Sequence, residues 1–245
     1  ADIENLMNEA AILAAKKDKE KISMEEIRES IYKVAMGPEK KSKIVSEGER
    51  RLTAYHESGH AITMRTVSST SKVQRVSIIP VGQAGGYTMP MANEDKYFYT
   101  KQQLEEEIIT LLGGRAAEEI SIGEISTGAS NDLQRANKIA RNMIVKYGMS
   151  ENLANIVFQE DDEVFVGKDF SKVKGYSEEV ASKIDHETKM IIDDCYMKVK
   201  KIINEKREVL EILALSLLKN EKVEASEFER IYNGENPFEV EAQLT

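Results

Sequence analysis

The sequence predicts a fold that is mainly α with a small β element and that ends in a C-terminal helical bundle. Long stretches of the chain carry apolar residues three and four positions apart, which is the spacing of one helix face. Two of these stretches begin at a serine that is followed three positions later by glutamate, a capping box. A single stretch, residues 73–91, combines β-branched residues with a glycine turn and predicts a short hairpin.

The composition excludes several classes of protein. The 245 residues suffice for one large domain or two small ones, and the net charge of −9 is spread over interleaved acidic and basic residues. A nucleic-acid-binding protein should show a basic stripe, so no nucleic-acid partner is expected. No apolar run is long enough to cross a bilayer. The lone Cys195 rules out an internal disulfide or a cysteine-based metal cluster and indicates a reducing compartment.

Two helices are predicted over residues 1–37. ADIENLMNEAAILAAKKDK carries one apolar face, and ISMEEIRESIYKVAMG follows with Ser23 as its N-cap and Gly37 as its stop. A polar linker with Pro38 then occupies residues 38–46 and is a candidate domain boundary. The first helix starts without a cap, which suggests a fragment of a longer protein with room for a membrane anchor or another domain upstream.

The middle of the chain predicts a helix, a hairpin and a second helix. The capping box at Ser46 starts a helix over about residues 47–67, and VQRVSIIPVG and GGYTMPM then form the hairpin. From Thr100 the stretch TKQQLEEEIITLLGGRAAEEI predicts the next helix. Its Gly113–Gly114 pair costs helix stability, which indicates close packing or a kink at that point.

The last third of the chain predicts further helices. The glycine-rich stretch SIGEISTGAS becomes a helix around Ser130 to Asp132, and a loop is expected over residues 158–174. Two long amphipathic helices follow, over about residues 176–207 and 207–219, and a short helix is predicted near residues 225–232. These helices form the predicted C-terminal bundle.

The segment LTAYHESGHAITM places two of the chain's three histidines, His56 and His60, on one helix face with Glu57 between them. Imidazoles four residues apart can bind one tetrahedral zinc ion, and a glutamate about 100° around the helix reaches beside the metal without ligating it. Glu57 is therefore a candidate general base that takes a proton from zinc-bound water and hands it to the departing amine. The segment predicts zinc-dependent peptide hydrolysis.

An alternative interpretation is a pair of histidines on a solvated helix face. The surrounding apolar residues predict a largely buried helix, in which three titratable groups need partners, and Gly59 would weaken a helix that has no need of close approach. The zinc site is therefore favoured. A third histidine is absent at the expected position, which is Thr66, and the charged neighbours of His186 indicate a surface residue. The third protein ligand should then be a carboxylate.

Two stretches offer that carboxylate. Glu118 or Glu119 in GGRAAEE matches the arrangement of helical-glutamate zinc peptidases, whereas Asp132 in STGASNDLQRA lies where a glycine-rich loop meets a helix start. Each also has a structural alternative. The aspartate could cap its helix or stabilise the first turn, and the glutamates could pair with Arg115 or a lysine. The residues alone leave the choice open.

Three motifs together resemble one family closely. TAYHESGHA, LLGGRAAEE and STGASNDLQRA, in this order and spacing, resemble the peptidase domain of FtsH, the membrane-anchored AAA+ zinc protease of bacteria, mitochondria and chloroplasts. VAMGPEKKS is similar to the junction between the family's ATPase and peptidase modules, and the N-terminal stretch is similar to the end of its ATPase lid. Ser58 stands at a spacer position where the family usually has alanine.

The resemblance implies assignments that the residues left open. In the FtsH family the aspartate of the ASND motif is the third zinc ligand, which implies that role for Asp132 and a structural or supporting role for Glu118 and Glu119. It also implies that residues 1–37 are the C-terminal helices of the AAA+ ATPase lid. Residues 47–240 would then form the zinc metallopeptidase domain.

The resemblance further implies an ATP-dependent zinc endopeptidase that works as a homohexamer and processively degrades unfolded and membrane proteins. ATP and Mg would act only in the full-length parent, because this chain has no G-x-x-x-x-G-K-[ST] motif and should not hydrolyse ATP itself. Membrane association would come through segments outside this fragment. The implied location is the bacterial inner (plasma) membrane with this domain facing the cytoplasm, or an organellar inner or thylakoid membrane in a eukaryote.

A protease that accepts many sequences should grip the peptide backbone, and an exposed strand edge does so by β-augmentation. The candidate strand is VSIIPVGQAGGYTMP, with Gly85, Gly86 and Tyr87 as candidate substrate-binding residues. An ordinary internal hairpin is the alternative. No residue is placed by the sequence to stabilise the oxyanion.

Two other functions compete with an endopeptidase module. A stand-alone zinc aminopeptidase would need a group that captures the substrate's amino terminus, and none is evident in the sequence. An inactive assembly module would keep the fold but typically lose the glutamate or a histidine, whereas the H-E-x-x-H motif is intact here.

Overall fold

The computed structural model describes residues 2–40, 45–82, 84–92, 97–153, 156–158 and 176–239. The predicted loop over residues 158–174 lies outside the described residues from position 159 onward. Residues 41–44 of the predicted linker also lie outside the described residues. Within the part that the structure describes, none of the helices combines the length and apolarity needed to cross a bilayer.

The predicted class, mainly α with a small β element, is confirmed. The helices are α1 (Asp2–Lys16), α2 (Met24–Met36), α3 (Glu47–Val67), α4 (Lys101–Ser121), α5 (Ser130–Val145), α6 (Glu178–Glu205), α7 (Arg207–Asn220) and α8 (Ala225–Tyr232), with a 3₁₀ turn at Thr127–Ala129. The strands are β1 (Ser71–Ser77), β2 (Tyr87–Ala92) and β3 (Lys222–Glu224). The predicted capping boxes are present at Ser23 and Ser46, and a third is present at Thr100.

The three strands form one antiparallel sheet in the order β2-β1-β3. The pairing of β1 with β2 is the predicted hairpin, and its register shifts by one residue between Val73 and Arg75. Strand β3 was not predicted, because three residues are too few to display the two-residue alternation of a strand. Strand β2 lies at one edge of the sheet and carries Pro90, a residue that sheets admit at their edges.

Helices α3 and α4 cross in the centre of the core at two glycines. A Cβ on Gly59 would lie 2.3 Å from the backbone oxygen of Gly113, so the two backbones touch. Helix α4 runs unbroken through Gly113 and Gly114, so close packing rather than a kink explains the glycine pair. The predicted apolar stripe of α6 packs against the same core: Ile184, Cys195, Val199 and Ile203 are buried, and Ile191, Ile192 and Ile202 are partly buried.

Helix α2 contacts the sheet through a buried arginine. Arg75 of β1 is 4% exposed, and its guanidinium binds Glu29 of α2 and, at 2.7 Å, Glu224 of β3. The same guanidinium lies 3.7 Å from the centre of the Tyr32 ring, a cation–π contact. Breaking such a pair leaves a buried charge, so α2 is held firmly against the sheet. The division into a lid fragment (1–37), a linker (38–46) and a peptidase domain stays a prediction.

Candidate active site

A cleft of about 970 Å³ opens where α3, β2, α4 and the start of α5 meet. Helix α3 places His56 and His60 one turn apart on its cleft face, and both side chains are nearly buried. Asp132 enters from the first turn of α5, where the helix dipole favours a carboxylate. The site therefore joins two residues that are close in sequence with a third that only the tertiary packing brings to them.

Three ligand atoms converge in the cleft. The Nε2 atoms of His56 and His60 are 3.0 Å apart, and each lies 3.4 Å from Oδ2 of Asp132. Ligands that bind zinc tetrahedrally at about 2.0–2.1 Å are separated from one another by about 3.3 Å. The triangle of donor atoms matches that spacing. In the described part of the chain, these three residues are the group of potential metal ligands that converges in this way.

In each imidazole, the hydrogen bond made by Nδ1 orients the ring so that Nε2 faces the other two ligand atoms. Nδ1 of His60 donates to the backbone oxygen of Thr110 at 2.8 Å, and Nδ1 of His56 donates to Oε1 of Glu118 at 2.7 Å. Carbonyl and carboxylate oxygens only accept, so both Nδ1 atoms carry hydrogen, and in the neutral form of each ring Nε2 presents a lone pair. In that form, two imidazole lone pairs and a carboxylate oxygen repel one another unless a cation lies between them. This donor set fits zinc.

The pKa shifts of His56 and Asp132 also show that their surroundings favour a positive charge. Burial alone would lower the pKa of His56, but hydrogen bonds with the carboxylates of Asp132 and Glu118 outweigh burial and raise that pKa to about 10. Burial would also raise the pKa of Asp132, yet its hydrogen bonds with the two imidazoles hold that pKa well below its ordinary range. The protein stabilises a positive charge here, as a metal ligand set must.

The structure distinguishes the three carboxylates that were alternatives for the third metal ligand. Glu118 is fully buried and lies behind His56, where its carboxylate also accepts from the backbone nitrogen and the hydroxyl of Ser126 at 2.9 and 3.1 Å. Glu119 points away and binds Tyr196 and Lys200. His186 is exposed. Only Asp132 among the three candidate acids approaches both Nε2 atoms in the described structure.

Glu57 lies beside the triangle and lines the cleft. Its side chain is buried, and burial raises its pKa. Oε2 of Glu57 accepts a hydrogen bond of 2.9 Å from the hydroxyl of Thr88, which belongs to β2. No feature of the sequence singles out Thr88, because nothing in its local sequence connects it with Glu57, 31 residues earlier.

The three candidate substrate-binding residues lie at the start of β2, and they differ in environment. Gly85 and Gly86 line the cleft, and a Cβ on Gly86 would meet the backbone oxygen of Ser77 at 2.6 Å and Cγ of Glu57 at 3.0 Å. Tyr87 also lines the cleft but is only 4% exposed, so little of this residue can contact a ligand. A second glycine is needed behind the histidines, since a Cβ on Gly114 would lie 2.6 Å from the His56 ring.

Ser58, inside the H-E-x-x-H segment, carries a stability prediction. Its hydroxyl is fully buried and finds no hydrogen-bond partner in the described structure. Ser58→Ala is therefore expected to stabilise the protein by about 1 kcal/mol, because it removes an unpaired polar group and improves helix propensity. Urea unfolding measures the change. The control is Ser77→Ala, which removes a buried hydroxyl that accepts from the Ile79 nitrogen and should destabilise; equal effects of both changes would contradict the prediction.

The comparison with known families agrees with this geometry. The family described as Peptidase family M41 matches residues 43–231. The chain belongs to peptidase family M41. The match spans α3 to most of α8 and so includes every residue of the site described above.

The M41 relatives confirm the resemblance to FtsH. A Ruminiclostridium cellulolyticum protein named ATP-dependent zinc metalloprotease FtsH is 57% identical over 95% of this chain and 38% of its own length. The ATP-dependent zinc metalloprotease FtsH 2 of Alkaliphilus metalliredigens is 51% identical over 96% and 34%. The Bacillus subtilis FtsH is 46% identical over 94% and 37%. The chain thus spans little more than a third of the length of the curated relatives it matches.

Proposed function

We propose that this chain is the zinc endopeptidase module of an ATP-dependent protease. The observation that carries the proposal is the convergence of His56, His60 and Asp132 on one point of a large cleft, with Glu57 beside them. These three residues would hold the zinc ion. When bound, zinc polarises a scissile carbonyl and lowers the pKa of water to about 7.

The protein's own part in the reaction is proton transfer and positioning. Glu57 accepts the proton of the attacking water and delivers it to the departing amine, for which its raised pKa suits it. Glu118 holds the His56 ring through Nδ1, and the Thr110 carbonyl does the same for His60. Such partners fix the tautomer and orientation of metal-binding imidazoles.

Polypeptide would bind along β2 as an added strand. Two features support this: β2 lies at the sheet edge, and its residues line the cleft beside Glu57, next to Gly85 and Gly86. Backbone recognition of this kind is independent of sequence. A module that grips the backbone can act on unfolded polypeptide of many sequences.

A pair of peptides tests this mode of binding while leaving the enzyme intact. N-methylation of a backbone amide next to the scissile bond is expected to lower kcat/KM by about tenfold or more, because the added strand loses a hydrogen bond. The matched control carries the N-methyl group several residues away, outside the cleft. Equal cleavage of the two peptides would count against an added strand.

The parent protein's properties are part of the same proposal. We infer that it is a membrane-anchored homohexamer that uses ATP and Mg to feed unfolded and membrane proteins to this site. The relatives' printed names support ATP dependence, and the share of their length that this chain covers leaves room for an ATPase part. The location proposed is a bacterial inner membrane with this domain facing the cytoplasm, or an organellar inner or thylakoid membrane.

Cleavage of a short fluorogenic peptide, blocked at both ends, tests the proposed reaction. We expect cleavage without ATP, complete loss after treatment with a zinc chelator, and recovery when zinc is restored. An aminopeptidase would leave the blocked peptide intact, and an inactive assembly module would cleave neither a blocked nor a free peptide. Activity that survives complete metal removal would contradict the proposal.

A further inference from the structure

Thr88 makes the contact between the edge strand and Glu57. Its hydroxyl oxygen lies 2.9 Å from Oε2 of Glu57 and 3.0 Å from the backbone oxygen of the same residue. A hydroxyl has one hydrogen to donate, so these two oxygens of Glu57 share or compete for a single donor. One residue of β2 thus lies within hydrogen-bond distance of both the backbone and the side chain of Glu57.

The environment leaves this carboxylate few other constraints. No second side chain in the described structure hydrogen-bonds the Glu57 carboxylate, which is buried beside two imidazoles. A glutamate side chain has three rotatable bonds, and packing alone fixes the last one weakly. Gly86 lies beside the aliphatic part of Glu57, where any larger residue would crowd Cγ, since a Cβ built on Gly86 would lie 3.0 Å from that atom.

We infer that Thr88 is a positioning residue for the reaction of this site, an inference that rests on the proposed function. Its hydroxyl holds Oε2 of Glu57 and leaves the other carboxylate oxygen to receive the proton. Because Thr88 belongs to the strand along which substrate would bind, the position of that strand and the orientation of the base are mechanically linked. In the described structure the Thr88 hydroxyl hydrogen-bonds Glu57 and none of the three proposed metal ligands.

A matched pair of variants isolates the hydroxyl. Thr88→Val keeps the shape of the side chain and removes the donor, whereas Thr88→Ser keeps the donor and removes the methyl group. For Thr88→Val we expect kcat on the blocked peptide to fall about 10- to 100-fold, with KM changed less than about twofold and zinc per chain unchanged. Thr88→Ser should retain kcat within about threefold of the wild type.

Several outcomes would overturn the inference. They are a Thr88→Val enzyme with wild-type kcat, a Thr88→Ser enzyme damaged as much as the valine variant, or a loss confined to KM or to zinc content. A purely structural role predicts the second or third outcome, because packing or strand position would then matter rather than the donor.

A second measurement uses the metal-free protein and does not depend on catalysis. Thermal unfolding of Thr88→Val, Glu57→Met and the double variant forms a double-mutant cycle. We expect the valine change to lower Tm less in the Glu57→Met background, because the carboxylate acceptor is already gone. Equal shifts in both backgrounds would overturn the contact itself. If the wild-type protein binds no zinc and cleaves nothing, the proposed function fails, while this cycle still measures whether Thr88 holds Glu57.

Discussion

Replacing Glu57 by glutamine is expected to abolish peptide cleavage while zinc stays bound. The amide can still accept the Thr88 hydrogen bond, so the fold should be unaffected, but it cannot take a proton from water. General-base catalysis typically contributes about 10²- to 10⁴-fold, and kcat should fall by that factor. Because Glu57 is not among the three converging ligand residues, zinc per chain should remain that of the wild type.

The control for this change is Glu124→Gln, which neutralises an exposed glutamate outside the residues lining the cleft. It should leave both kcat and zinc content unchanged. Metal analysis of the purified proteins and initial rates on the blocked peptide provide the two measurements. A Glu57→Gln protein that loses zinc, or that keeps more than a tenth of the wild-type rate, would contradict the role assigned to Glu57.

Removal of the Asp132 carboxylate is expected to have the largest effect on metal affinity. Loss of a residue that hydrogen-bonds a metal-ligating side chain typically weakens metal binding by about 10- to 100-fold. Asp132→Ala removes one of three proposed ligands and should exceed that range. Glu118→Ala should fall within it, because Glu118 reaches the ligand set through the far nitrogen of His56 and not through the metal position. Glu119→Ala should bind zinc as the wild type does, since that carboxylate binds Tyr196 and Lys200.

Competition with a chromogenic chelator gives the zinc dissociation constants of the four proteins. The expected order of affinity is wild type and Glu119→Ala, then Glu118→Ala, then Asp132→Ala. Asp132→Asn serves as a shape-matched variant that keeps an oxygen but loses the charge. If Glu118→Ala weakened zinc binding more than Asp132→Ala, the third ligand would have been assigned wrongly.

The helices could be predicted from the sequence because their signals are local. The capping boxes at Ser23 and Ser46 and the apolar periodicity of α6 and α7 each lie within a few consecutive residues. Strand β3 was missed because its three residues form a strand only through pairing with β1, more than a hundred positions earlier. Such pairing is decided by tertiary packing rather than by the segment itself.

The residues of the candidate site also differ in whether the local sequence or only the tertiary packing reveals them. His56, Glu57 and His60 could be recognised because helix geometry alone brings residues four apart together. The residues did not decide between Asp132 and Glu118, because the choice depends on how α4 and α5 pack against α3. The resemblance to FtsH implied Asp132, and the structure brings that carboxylate to the two imidazoles. The contact between Thr88 and Glu57 had no local signal at all.

A crystal of this chain soaked with zinc and measured at the zinc absorption edge would show which residues bind the metal. We expect one strong anomalous peak within about 2.0–2.2 Å of Nε2 of His56, Nε2 of His60 and a carboxylate oxygen of Asp132. A peak bound by Glu118 in place of Asp132, or imidazole rings that point apart with no peak between them, would contradict this expectation.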